Sequence, residues 1–79
     1  MDKNLRRKIK ELEEQMEALI IAIPKEEASY HFYTDLAKNT EHEGSRKMFN
    51  RLAEEELDHK SSLIELVEKL RKEIDSLKK

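Results

Sequence analysis

The chain has 79 residues, a formal net charge of −2, and 43% charged against 5% aromatic residues, with one Gly, one Pro and no Cys. The absence of cysteine excludes disulfides, thiolate zinc sites, iron–sulfur clusters and thiol nucleophiles. So small a domain buries a modest share of its surface and calls for a metal or a partner, and its Glu, Lys and Leu content belongs to long exposed helices rather than strands.

Lys3, Arg6, Arg7, Lys8 and Lys10 make a basic start, which reads as a solvated helix end; no nucleic-acid partner is expected. Leu5, Ile9, Leu12, Met16, Leu19 and Ile23 then recur at alternating steps of four and three, the seam of a helix packed on other helices. The same count lands on Glu26, Tyr30, Tyr33, Ala37 and Thr40. The apolar run Ala18 to Ile23 is too short for a signal peptide or a bilayer span, so a soluble, cytoplasmic protein without a membrane partner is expected. Leu19 to Ile23 is apolar all round and asks for neighbours on more than one side, which points to an oligomer. Pro24 lacks an amide donor and crowds the Ile20 carbonyl. The seam count survives it, favouring a kinked continuous helix, with 1–22 as a coiled-coil-like extension, over a short separate N-terminal helix with Pro24 opening the next.

Asn39 to Gly44 reads as a helix stop, with Ser45 as the cap of the next helix. Phe49, Leu52, Glu56, His59, Leu63, Leu66 and Leu70 continue the alternation, after which the seam shifts by one residue to Ile74 and Leu77. Phe32 and Phe49 are core candidates; His31 and His42 fall on the surface. The fold class expected is all-α: one domain over 1–79, an antiparallel two-helix hairpin with metal-bearing helices at 24–40 and 45–78 that dimerises into a four-helix bundle.

Three ionisable residues occupy seam positions, Glu26 on the first helix and Glu56 and His59 on the second. A buried carboxylate costs several kcal/mol unless it is paired or binds metal. With the turn centred near His42, Glu26 lies sixteen residues before it and Glu56 and His59 fourteen and seventeen after. At about 1.5 Å per residue all three reach one level. Two carboxylates and an imidazole suit iron or manganese, and zinc less exclusively. Glu27, one residue off the seam, is the rival for Glu26. One hairpin supplies half of a site; two about a two-fold axis supply four Glu and two His, as in four-helix di-metal carboxylate centres.

The segment KEEASYHFYTDLA (25–37) followed by FNRLAEEELDHKSSL (49–63) resembles the rubrerythrin-like branch of the ferritin-like superfamily over roughly residues 18–70. The signature is Glu26, Tyr33 seven residues on, and Glu56-x-x-His59. The half-length form is similar to encapsulated ferritins, whose di-iron site lies between two subunits. That resemblance implies Glu26, Glu56 and His59 as metal ligands, two iron ions per dimer, and Tyr33 as a hydrogen-bonding residue of the catalytic site. It also implies Fe(II) oxidation by oxygen or peroxide, with a second copy as partner and an encapsulin shell as a further candidate. The chain departs from rubrerythrins in lacking a cysteine-based iron site. It departs from encapsulin cargo in that EIDSLKK (73–79) shows no targeting tail.

The expected function is therefore ferroxidase or peroxide-reducing di-iron chemistry. A reading of another class is a non-catalytic dimerisation or scaffold module whose seam polar residues only fix the pairing; a third is iron sequestration or delivery without turnover.

Overall fold

A computed structural model describes residues 2–79 as two helices, α1 (Lys3–Asn39) and α2 (Glu43–Lys78), packed side by side in a hairpin about 61 Å long. The seam of α1 runs as its periodicity predicts. Ile9 and Ala37 are buried, and Leu5, Leu12, Met16, Leu19, Ile23, Glu26, Tyr30 and Tyr33 are half-buried along the same line. The helix passes through Pro24 without interruption. Pro24 and Ile20 are both exposed, so water can serve the carbonyl that the missing amide leaves unpaired.

On α2 the seam is phased differently from the count made above. Its buried line is Ala53, Glu56, Lys60, Leu63, Val67, Leu70, Ile74 and Leu77, with Ala53, Val67 and Ile74 most enclosed. Steps of three and four continue unbroken from Ala53, so no shift occurs after Leu70. Leu66 is 46% exposed beside Val67 at 5%. The seam thus belongs to Lys60 and Val67, and His59 and Leu66 lie one position off it. Counting by size favours leucines, whereas close approach of two helices selects small residues; Ala37 and Ala53 are each only 4% exposed. Phe32 is likewise no core residue, at 59% exposed, while Phe49 is half-buried.

Residues seven apart share a face of a helix, and cross-helix contacts identify two flanks. Lys78 Nζ meets Glu13 at 3.4 Å and Lys60 Nζ meets Glu27 at 2.8 Å. These pairs place the α1 row Glu13, Ile20, Glu27 and the α2 row Leu57, Ile64, Arg71, Lys78 together on an ion-pair flank. The row Leu52, His59, Leu66 lies across the seam, on a histidine flank, with Ala22, Ser29 and Leu36 of α1.

The turn differs from its sequence reading. Asp2 caps α1 by accepting from the Leu5 amide at 2.9 Å, and Thr40 caps the other end, its amide donating to the Leu36 carbonyl. α2 starts at Glu43, two residues before Ser45, and its cap is His42, whose Nδ1 accepts from the Ser45 amide at 3.1 Å. Gly44 lies inside this first turn instead of stopping α1. A β-carbon there would stand 3.0 Å from His42 Cε1, so glycine leaves room for the capping ring. Arg46 ties the turn by donating to the Thr40 carbonyl at 2.9 Å and pairing with Glu43 at 3.1 Å. Replacing His42 with Ala is expected to destabilise the hairpin by about 1 kcal/mol, and His42→Asn to retain most of that. Denaturant unfolding of the two variants against the parent checks it; equal losses would show the ring to be dispensable.

Candidate metal centre

The seam positions of Glu26 and Glu56 turn two carboxylates toward the same gap between the helices. Their side chains are 24% and 18% exposed, whereas His59, on its flank, is 62% exposed. One donor atom from each of the three lies within 4.8 Å of the others. His59 Nδ1 stands 3.5 Å from Glu26 Oε2 and 3.8 Å from Glu56 Oε2. Glu26 Oε2 is buried and has no hydrogen-bond partner. Hard carboxylate oxygens with a borderline imidazole nitrogen are a donor set for iron, manganese or zinc. An orphaned buried oxygen beside them is what a cation would satisfy.

The two acids perturb one another. Glu56 is raised above the usual carboxylate range, first by a hydrogen bond that its protonated form can share with Glu26. Burial and the Glu26 charge add to this, and His59 opposes it. A cation between the two carboxylates would act in the opposite direction and favour their ionised forms.

Glu27, the rival ligand, points the other way. Its bond to Lys60 on the ion-pair flank lowers its pKa, and it is exposed. Tyr33 is half-buried on the α1 seam with its ring edge-on to Phe32 at 5.4 Å, and its hydroxyl has no hydrogen-bond partner among the described residues. Tyr30 packs edge-on against His31, and His31 is exposed. The sequence reading missed Lys60, a cation on the seam one residue from His59. Its signal was the alternating count begun from Ala53 instead of Leu52.

A family model for rubrerythrin matches residues 17–79, most of the chain. The chain belongs to the rubrerythrin family. Neither the curated proteins nor the solved structures contain a significant match. Rubrerythrins are iron-binding, di-iron carboxylate proteins of the ferritin-like class, and the Glu26, Glu56, His59 group lies inside the matched segment. The first sixteen residues, the basic start included, lie outside it. Among the described residues, no helix is long and apolar enough to cross a membrane.

A carboxylate whose pKa is raised on folding binds its proton more tightly in the native state. Its contribution is complete below the ordinary carboxylate value and is lost as pH rises through the raised one. The metal-free protein is therefore expected to lose stability relative to Glu56→Gln across that window, because the amide cannot ionise. Thermal unfolding of both proteins in chelator at stepped pH measures the difference; a difference independent of pH contradicts the shared proton.

Proposed function

We propose that two copies of this hairpin pair through their histidine flanks to form a di-iron carboxylate centre that oxidises Fe(II) with oxygen or peroxide. The observation that carries this reading is the three-donor group with its orphaned Glu26 oxygen, opening onto a flank where His59 is exposed. Two Glu and one His are half the donor set of a four-helix di-metal centre, and a symmetric partner supplies the same three again. The flank suits close approach. Ala22 and Ser29 are small, and Leu36, Leu52 and Leu66 flank the site with apolar surface that a second copy would cover.

Bound iron would supply the electrons for reducing oxygen or peroxide, with further Fe(II) as substrate. Glu26 and Glu56 would hold the ions, and the Glu56 carboxyl, raised by its neighbour, would give up its proton more readily as positive charge arrives between them. His59, through a ring nitrogen, would hold iron from the open side. Tyr33 would donate a hydrogen bond to a ligand carboxylate, giving its unpartnered hydroxyl a role. Six protein ligands over two ions leave coordination positions free for an oxidant.

Anaerobic addition of Fe(II) followed by air tests the reading. Two iron ions per two chains and oxidation well above the buffer rate are expected, with Glu56→Ala and His59→Ala each slower by at least about tenfold. Binding without oxidation would leave an iron carrier. Glu56→Leu with His59→Leu raising stability, in a parent that takes up no iron, would favour a scaffold in which those residues only fix the pairing.

A further inference from the structure

The seam carries a cation beside the two acids, and its pairing is selective. Lys60 is half-buried on α2, one residue after His59 and four after Glu56. Residues four apart share a helix face, and Glu followed by Lys at that spacing is the favoured order for an ion pair. Among the described residues, however, the Lys60 ammonium pairs with Glu27 alone, at 2.8 Å, on the flank opposite His59. The buried Glu26 Oε2 meanwhile has no hydrogen-bond partner. A charged donor that could satisfy that oxygen is thus held aside. Glu27 can do this because it follows Glu26 directly, and successive helical residues point to different faces, one acid to the seam and the next to the flank.

We infer that Glu27 is a positioning residue for the metal centre: by holding the Lys60 ammonium on the ion-pair flank, it keeps the place between Glu26 and Glu56 open for a metal ion. The inference rests on the metal centre proposed above, but only on the donors of one chain and not on their doubling by a partner. Lys60 has a long, flexible stem rooted on the seam one turn from Glu56, so two acceptor sites compete for one ammonium. The Glu27 side chain is 48% exposed, against 24% and 18% for Glu26 and Glu56. Pairing at the flank therefore lets the ammonium keep more of its hydration than the gap would allow. Once Glu27 is neutral, the inner carboxylates are the acceptors left to Lys60 at this level of the seam. An ammonium between them opposes a metal ion twice, by occupying the ligand oxygens and by its like charge.

A double-mutant cycle on the full chain, read by calorimetric titration with anaerobic Fe(II), tests this. Glu27→Gln is expected to weaken Fe(II) binding by at least about tenfold, as loss of a residue that supports metal ligands does. Lys60→Gln alone, and Lys60→Gln combined with Glu27→Gln, are expected to bind within about twofold of the parent. Simple addition of charges predicts otherwise: Lys60→Gln alone would tighten binding as much as Glu27→Gln weakens it. Glu55→Gln removes an exposed acid next to Glu56 and is expected to bind like the parent. Circular dichroism is expected to show every variant as helical as the parent, since Gln is a good helix former. In chelator, a crystal structure of Glu27→Gln is expected to place the Lys60 ammonium within about 4 Å of a Glu26 or Glu56 oxygen. Additive effects around the cycle, a Glu55→Gln loss equal to that of Glu27→Gln, or a Lys60 ammonium left in solvent overturn the inference and leave the metal centre standing. A parent that takes up no Fe(II) overturns both.

Discussion

Two carboxylates brought together between two helices need a positive partner, and the rest of this hairpin is arranged around that need. Glu26 and Glu56 repel one another when both are ionised, and a cation or a proton between them relieves that repulsion. The Glu56 carboxyl is held above its usual range by the hydrogen bond that its protonated form can make to Glu26, by burial and by the Glu26 charge. Lys60, on the seam nearby, could have neutralised the acids directly. It is instead drawn to Glu27 at 2.8 Å, on the opposite flank. The ion pair thus keeps a competing ammonium away from the carboxylates. The imidazole left beside them can bind metal when neutral, which an ammonium cannot do.

The second constraint is thinness. Two helices have no interior, and among the described residues only Ile9, Ala37, Ala53, Val67 and Ile74 are buried. Several large aliphatic side chains remain in water on the outer faces, and a hydrophobic seam one residue wide leaves little stability to spare. A second copy on the histidine flank, as proposed, would give the side chains there neighbours and would also double the ligand set. Stability and metal binding are then served by the same surface. A single chain with four helices solves the problem covalently, whereas this one is suited to solve it by symmetry.

Much of this was legible in the residues. The α1 seam could be counted straight through Pro24, because a proline on an exposed face disturbs the backbone less than it disturbs a pattern-based expectation. The three donors could be placed at one level because helical rise is fixed and the turn is short. What misled was the choice of Leu52 over Ala53 as the starting point on α2. Both fit a step from Phe49, and only the packing of Ala53 close to the partner helix decides between them. Every second position is then one residue early, Leu52, His59 and Leu66 standing for Ala53, Lys60 and Val67, and the false shift beyond Leu70 follows, while Glu56, Leu63 and Leu70 lie on both lines. The turn was misread for a local reason as well. Ser45 and Gly44 are the residues expected at helix boundaries, yet a histidine nitrogen can cap a helix as a serine oxygen does, with glycine making space for the ring.

The phase of α2 bears on the chemistry. Had His59 lain on the seam, its ring would have been enclosed between α1 and α2, and the three donors would have formed a closed polar knot within one hairpin. Displaced by one position it stands at the edge, 62% exposed, with the carboxylates behind it. A ligand at the edge faces outward, toward whatever covers that flank. The same displacement puts Leu52 and Leu66 seven residues to either side of it, so the donor is bracketed by aliphatic surface along its own row. Water is excluded from such a site only when that row is covered, and the electrostatic strength of the carboxylates toward a cation rises as water leaves. One residue of helical phase therefore separates a polar knot closed inside the hairpin from a donor group that opens onto its flank.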